Sequence, residues 1–229
     1  ERSRILVDEF GWDLASTKKI WAFGPHDNGP NILVDSTRGV DGLANIQDSV
    51  VAAFQWVTLE GVVAGENLRG VRFELLDTEI HRDSAHRRPD QLLPALRRCL
   101  LACLHMAEPR LLEPIFLVDI ECPTHMIGKV YSTLNKRRGQ INEEAALSGT
   151  TLSRIKAYLP VNESFGFTGE LRQMTSGTAF PQCQFDHWAL LPGEPFEANS
   201  KCAQITSETR LRKSLPEQIP PLDSLIDRQ

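Results

Sequence analysis

The sequence lacks the features that would place its 229 residues in a membrane, outside the cell or in an unfolded state. Its longest apolar stretches, such as residues 99–104, are far shorter than the roughly 20 residues that a membrane span needs. The five cysteines show no paired Cys-x-x-Cys spacing, which predicts reduced intracellular thiols and neither a disulfide framework nor a zinc site. The first 20 residues have no apolar signal-peptide core. We therefore expect a cytoplasmic protein without a membrane partner, and its 41% hydrophobic and 24% charged residues predict ordinary globular folding.

Complete catalytic motifs are also missing. Gly128-Lys129 has no glycine five residues upstream and no Ser or Thr after it, so it is not a phosphate-binding P-loop. His81-Arg-Asp83 starts like a kinase catalytic loop, but Arg88 stands where that loop needs asparagine. Asp186-His187 suggests a dyad, yet neighbouring residues of a strand point to opposite faces, so we expect the two side chains to be separated. We predict no catalytic residue and no metal site in this chain.

Positive charge is scarce overall but locally concentrated. The net charge is −5, which argues against binding of polyanions by the whole surface. Arginines are nevertheless dense at positions 82–98, and smaller basic groups occupy positions 136–138 and 210–213. Basic tips on an acidic body suit a protein that inserts one edge into nucleic acid. A solvated helix face is the alternative interpretation of the same pattern.

Hydrophobic periodicity predicts a mixed α and β fold. In the first half we expect helices at 2–10, 13–20, 46–60 and 91–106, and strands starting at Trp21 and covering 31–36 and 70–80. Asp13 should be the N-cap of the second helix, and Pro94 should lie in the first turn of the last one. From position 109 onward the expected order is β(115–121), α(124–136) ended by Gly139, β(140–144), β(151–159), α(164–176), β(179–190). This βαββαβ order is the split-βαβ plait. A Pro-rich tail with one basic helix, at about 203–213, follows.

The most distinctive segment is the loop His81–Gln91, between a predicted strand and a predicted helix. Its two histidines and several charges cannot be buried without partners, so the loop should project into solvent or onto a polar ligand. Arginines on such a loop suit phosphate contacts, and imidazoles can stack on unpaired RNA bases or hydrogen-bond to them. An ordinary exposed loop is an equally open interpretation.

Several short segments of the sequence, compared residue by residue, resemble eukaryotic elongation factor 2, a translational GTPase. The segments that carry the resemblance are Asn31–Leu33, Gly70–Phe73, His86-Arg87, Pro109–Pro114, Lys156–Phe167, Gly177–Cys183, Asp186–Trp188, Leu191–Phe196 and Glu208–Lys213. They span practically the whole chain and come in the order of the family. Spliceosomal and ribosome-maturation GTPases resemble the sequence less well at residues 161–167 and in the tail.

The resemblance implies an α+β C-terminal fragment with two α/β-plait-like domains. Residues 1–110 would be most of domain IV, similar to ribosomal S5 domain 2, with its N-terminal part missing. Residues 111–190 would be the ferredoxin-like domain V, and residues 191–229 a tail returning to domain IV. The GTP and Mg sites of the family would lie in a G domain that these residues do not include, so we expect no cofactor here and only indirect participation in GTP hydrolysis.

The resemblance also implies a function. In the family, the tip of domain IV enters the decoding A site and promotes GTP-dependent translocation of tRNA and mRNA on the ribosome. The implied RNA-binding residues at the tip are His81, Arg82, Arg87 and Arg88, and those facing rRNA at the stalk base are Lys136, Arg137 and Arg138. The alternative is a divergent relative that serves as a structural or interaction module in the spliceosome or in ribosome maturation.

His86 takes the position that the family modifies to diphthamide, the target of diphthamide-synthesis enzymes and of ADP-ribosylating toxins. The three glycines that follow the family's histidine and arginine are here Arg88-Pro89-Asp90. Glycine permits positive φ and close backbone approach, whereas proline fixes φ and arginine adds a long cation. We therefore hypothesise that His86 is unmodified and that the added charge partly replaces the cationic group of the modification.

Overall fold

Two separate sheets organise the residues that the computed structural model describes, 2–226. Contacts between Cα atoms divide the chain into two units. Unit 1 combines the residues up to Pro109 with those from Gly193 onward, and unit 2 is Arg110–Pro192. The sequence places domain boundaries at 110 and 190, close to these divisions. The predicted α+β fold class is confirmed.

Unit 1 is built on a small mixed sheet. Its elements before Pro109 are α1 (Arg2–Asp8), α2 (Leu14–Lys18), β1 (Ile20–Gly24), β2 (Asn31–Asp35), α3 (Gln47–Leu59), β3 (Arg72–Leu75) and α4 (Pro89–Met106). The strand order is β1-β2-β3, with β1 antiparallel and β3 parallel to β2. A parallel pair needs a crossover connection, and the segment containing α3 provides it. Asp13 is the N-cap of α2, as predicted, since its carboxylate accepts hydrogen bonds from the backbone N–H groups of Ala15 and Ser16 at 3.1 Å.

The core of unit 1 lies between α3 and the sheet. Phe54 is completely buried on α3, and its ring meets that of Phe73 on β3 edge-on, with 5.7 Å between the centroids. Asn31 is also completely buried, but its side chain is satisfied: its amide nitrogen donates to the carbonyls of Gly24 and Leu68, and its oxygen accepts from the N–H of Val71. This asparagine fixes the start of β2 against the segments on both sides of it.

Unit 2 is a four-stranded antiparallel sheet with helices on one face. Its elements are β4 (Leu112–Pro123), α5 (Ile127–Lys136), β5 (Gln140–Ala146), β6 (Leu152–Pro160), α6 (Val161–Ser164), α7 (Phe167–Met174) and β7 (Phe180–Leu190). The strand order β5-β6-β4-β7 is that of the predicted split-βαβ plait. Alternate residues of β4 and β6, such as Val118 and Ile155, are buried with Leu134 of α5 and Leu171 of α7.

The last element, α8 (Lys201–Arg212), anchors the tail within unit 1. Arg210 is only 3% exposed, and its guanidinium donates to the carbonyl oxygens of Val63 at 2.9 Å, Val62 at 3.4 Å and Pro216 at 2.6 Å. Burial lowers the pKa of Arg210. Backbone carbonyls thus satisfy a buried cation and tie the tail to the loop that follows α3.

Two helix predictions were wrong in detail. The helix predicted at 91–106 begins at Pro89, so Pro94 lies in the helix interior and not in the first turn. A proline there cannot donate to the carbonyl of Asp90, which leaves the first turn without one of its hydrogen bonds. The helix predicted at 164–176 is divided into α6 and α7, because Phe165 is extended and Gly166 has a positive φ of 76°.

The end of α5 also differs from the prediction. The sequence predicts Gly139 as the C-cap, but the C-cap is Arg137 and the left-handed position after it is taken by Arg138, with a φ of 56°. The N–H of Gly139 donates to the carbonyl of Leu134 at 2.8 Å and that of Arg138 to Asn135 at 3.3 Å, which is the Schellman pattern with arginine at C′. A Cβ on Gly139 would lie 3.0 Å from the oxygen of Leu134, so the glycine is needed for close approach.

Candidate nucleic-acid interface

The predicted RNA-binding loop connects the segment after β3 to α4. Residues 81–88, here named the tip loop, are exposed except for Arg87, which is partly buried. Ser84–Arg87 form a single 3-10 turn, and the carboxylate of Asp83 caps it by accepting from the N–H of Ala85 at 3.0 Å. A loop of this polarity stays exposed because few of its charges find partners inside the protein.

The two histidines of the tip loop lie against each other. The centroids of the His81 and His86 rings are 4.5 Å apart at an angle of 63°. Nδ1 of His81 accepts a hydrogen bond from the backbone N–H of Asp83 at 3.1 Å, so a neutral His81 ring carries its proton on Nε2. The contact holds His86 in place by packing and leaves both imidazoles exposed to solvent.

The tip-loop arginines differ in their partners. Within residues 2–226, neither Arg82 nor Arg87 forms a salt bridge, and Nε of Arg87 is buried without a hydrogen-bond partner. Arg88 pairs with Asp90 at 3.3 Å, but both side chains are more than half exposed, so the pair contributes little to stability. Neither the Arg82 nor the Arg87 guanidinium is therefore neutralised by an ion pair within residues 2–226; Arg82 is exposed, whereas Arg87 is accessible only in part.

Arg88-Pro89-Asp90 form the beginning of α4. Arg88 is the extended N-cap residue, Pro89 takes the first helical position and Asp90 lies in the first turn. Proline is favoured at this position because its missing N–H has no partner in a helix, and an acidic side chain is favoured by the helix dipole. The triplet Arg88-Pro89-Asp90 thus starts α4 directly after the tip loop and restricts the backbone at this end of the loop.

The second basic segment, residues 136–138, is internally paired in unit 2. Arg138 donates through Nη1 and Nη2 to the two carboxylate oxygens of Glu113, both at 2.9 Å, and through Nε to Glu163 at 3.3 Å. These bonds raise the pKa of Arg138, the one to Glu113 most of all. Planar guanidinium and carboxylate groups match in this two-point geometry, which orients both side chains.

Lys136 and Arg137 share Glu170 on α7. Nζ of Lys136 lies 2.8 Å from one carboxylate oxygen, and Arg137 lies 2.6 Å from the other. Hydrogen bonds from Lys136 and then Arg137 lower the pKa of Glu170. Arg137 also donates to the carbonyls of Glu163 and Phe165, so RNA contact by this arginine would compete with internal bonds. The rRNA role of residues 136–138 stays a prediction.

Asp186 and His187 meet, contrary to the prediction. Oδ2 of Asp186 lies 2.6 Å from Nδ1 of His187. The cause is a β-bulge: His187 pairs with Ile115 and Phe185 with Phe116, so Asp186 is an extra residue in β7 and the strand alternation fails there. The His187 ring also lies edge-on to Tyr158, with 5.2 Å between the centroids. A carboxylate that orients an imidazole is one part of a general base, but the pair alone does not make a catalytic site.

The described part of the chain offers neither a cluster of metal ligands nor a membrane-spanning helix. Among residues 2–226, no group of three or more His, Cys, Asp or Glu residues could hold a metal ion. No helix in that range is long and apolar enough to cross a membrane. Sequence reasoning overlooked one side-chain group, the thiols of Cys99 and Cys103 on α4, whose signal is a spacing of one helical turn.

Comparison with known families accounts for both units. Residues 110–199 match the family model described as elongation factor G C-terminus, and residues 1–108 match the one described as elongation factor G, domain IV. The matches meet beside Pro109, where the structure divides the chain. A plait unit and a unit with an exposed basic tip loop, taken with these matches, define a member of the translation elongation factor class. The chain belongs to the elongation factor G and elongation factor 2 family.

Proposed function

We propose that this chain is the ribosome-inserting part of a translocase of the elongation factor 2 type. The tip loop enters the decoding A site and promotes GTP-dependent translocation of tRNA and mRNA, while GTP and Mg are bound by a G domain outside these residues. The observation that carries the proposal is the availability of Arg82 and Arg87, which form no salt bridge within residues 2–226 and stand beside two exposed imidazoles. Family membership supports the choice of ribosome and tRNA as partners.

The tip loop acts by occupying space and by binding phosphates. Arg82 and Arg87 meet backbone phosphates, and His81 and His86 reach the base edges of the codon–anticodon region. The loop needs a firm base, and α4 provides one: Arg97 stacks on the ring of Trp56 of α3 at 3.9 Å and bonds to Glu60 at 3.3 Å. A loop held in this way disfavours backward movement of tRNA while the G domain hydrolyses GTP.

Unit 2 makes the second contact, with rRNA near the stalk base. Of the three predicted residues, Lys136 has the most exposed side chain, and its ammonium keeps two donors beyond the bond to Glu170. In this proposal Lys136 touches rRNA, and Arg137 and Arg138 position the surface around it through their internal bonds.

The state of His86 is part of the same proposal. His86 is unmodified, and the charge of Arg87 and Arg88 partly replaces the cationic group of diphthamide. Pro89 supports this, because its fixed φ and place at the start of α4 restrict the backbone that diphthamide-synthesis enzymes and ADP-ribosylating toxins would have to recognise. Mass spectrometry of the native protein tests it: a diphthamide mass on the peptide containing His86 would contradict the hypothesis.

Ribosome binding measured as a function of salt tests the main proposal. Each phosphate contact contributes about 0.7–0.9 to the slope of log K against log salt, so Arg82→Ala and Arg87→Ala should each reduce the slope by about that amount. Arg38→Ala, another exposed arginine of unit 1 outside the tip loop, is the matched control and should leave the slope unchanged. Equal slopes for all variants would refute contact by the tip loop. Failure of the parent chain to bind ribosomes would favour the structural-module alternative.

A further inference from the structure

Three sulfur-containing side chains share one face of α4. Cys99, Cys103 and Met106 are separated by four and three residues, so at 100° per residue they lie within a narrow stripe of the helix. Both cysteines are free and exposed, and Met106 is 68% exposed. Long side chains of a helix point back towards its N-terminus, so the thioether of Met106 extends over the turn that carries Cys103.

The two thiols lie one helical turn apart on the same face of α4. Residues four apart on a helix hold their Cβ atoms about 5–6 Å from each other, so the two sulfur atoms can converge on one ion without any change in the helix. Burial of part of Cys99, followed by the neighbouring Cys103, raises the pKa of the Cys99 thiol.

From this geometry we propose that Cys99 and Cys103, with Met106 as a third ligand, form a binding site for monovalent copper. Thiolate and thioether sulfur are soft ligands that select Cu(I), which accepts a low coordination number of about two or three. Structural Zn²⁺ prefers four ligands, and within residues 2–226 no third His, Cys, Asp or Glu joins the pair. Cu(I) is therefore the ion that the available ligands satisfy.

A disulfide suits the same residues less well. Cβ atoms in a disulfide are about 3.5–4.5 Å apart, whereas residues one helical turn apart hold theirs at about 5–6 Å. A disulfide would have to distort α4, but a metal ion bridges the sulfurs across the larger gap. On binding, each thiol releases its proton to solvent, so Cu(I) and two thiols give a bis-thiolate complex with one negative charge and two free protons.

The site is independent of the proposed function. Cys99 lies ten residues after Pro89, a distance of about 15 Å along the helix from the tip loop. Copper binding can therefore be tested on the full chain without ribosomes.

The test is an anaerobic titration of the reduced full chain with Cu(I) in competition with bicinchoninate, whose coloured complex reports free copper. We expect one tightly bound equivalent. Cys99→Ser and Cys103→Ser should each weaken binding by more than about 100-fold, since one thiolate cannot chelate, and Met106→Leu should weaken it several-fold. Cys183→Ser removes an exposed thiol on β7 and is the matched control, expected to bind as the parent does.

Parental affinity in Cys99→Ser or Cys103→Ser, or loss of binding in Cys183→Ser, would overturn the proposal. Displacement of Cu(I) by equimolar Zn²⁺ would overturn the choice of metal. Copper X-ray absorption of the loaded parent protein provides a readout that needs no variant: a spectrum with only sulfur neighbours supports the site, and nitrogen or oxygen neighbours contradict it.

Discussion

Arg138 gives the sharpest test of how unit 2 is held together. Its guanidinium binds both oxygens of Glu113 at 2.9 Å, and Glu113 is only 8% exposed. Removing the arginine leaves a buried carboxylate without its counter-charge. At the same time the backbone of Arg138 is in the left-handed region, with a φ of 56°, which is unfavourable for every residue with a Cβ. The two effects have opposite signs when arginine is replaced by glycine.

The magnitudes can be worked out separately. Breaking a fully buried ion pair costs about 3–5 kcal/mol, and because the Arg138 side chain is 30% exposed we expect about 2–3 kcal/mol for Arg138→Ala. Alanine keeps the backbone strain, whereas glycine relieves about 1 kcal/mol of it. Arg138→Gly should therefore destabilise unit 2 by about 1–2 kcal/mol, less than the alanine variant although it removes more of the side chain.

Hydrogen exchange followed by mass spectrometry measures this difference within unit 2, from peptides of β4 and α5. Arg154→Ala is the control, because Arg154 pairs with Asp119 on the exposed part of the sheet and should give a much smaller loss of protection. Equal protection in the Arg138→Ala and Arg154→Ala variants would refute the importance of the pair. A glycine variant as unstable as the alanine variant would refute the strain argument.

Three further predictions concern unit 1 and pH. Arg210→Met should lower the free energy of unfolding of unit 1 by about 2–4 kcal/mol, because the carbonyls that accept from the guanidinium lose their donor. Urea unfolding measures this change, and an unchanged midpoint would contradict it. Gly24→Ala should cost at least about 2 kcal/mol, since the new Cβ would lie 2.5 Å from Thr58 Oγ1. Its midpoint in urea should fall below that of Gly11→Ala, where the new Cβ meets no atom and only the positive φ of 66° costs about 1 kcal/mol. Because the pKa of Glu170 is lowered, its pairing stabilises unit 2 above pH 4.5, and this stabilisation is lost as the pH falls further. In Lys136→Ala the pKa of Glu170, measured by ¹³C NMR, should move back towards 4.5. An unchanged pKa would contradict the pairing.

Most elements follow from short-range pattern. The 3.6-residue period in α3 and the alternation in β6 reflect one buried face each, so their positions are encoded locally. Asp13 is recognisable as a cap because its carboxylate acts within three residues. The strand order of unit 2 follows from the βαββαβ order of its elements, since the handedness and connection rules leave few alternatives.

The errors occur where distant contacts outweigh local preference. Arg138 occupies a position that suits glycine because Glu113, 25 residues away, binds its side chain there. Asp186 and His187 meet because of a bulge relative to β4, and a bulge depends on the register between strands. Pro94 is the exception, because its misplacement has a local cause: the Arg88-Pro89-Asp90 triplet starts α4 earlier than the apolar period indicates.

Distant contacts also decide which charges of the candidate interface are available, and the sequence alone does not show this. In the sequence the arginines at 82–88 and the cations at 136–138 look equivalent, and both were predicted to bind RNA. The difference comes from carboxylates far along the chain: Glu113, Glu163 and Glu170 converge on the second group, whereas Arg82 and Arg87 form no salt bridge within residues 2–226. A cation that already has a partner must exchange one ion pair for another to bind phosphate, so its net gain is small. Available positive charge, and not basic composition, therefore favours the tip loop over residues 136–138 as the proposed RNA-binding surface.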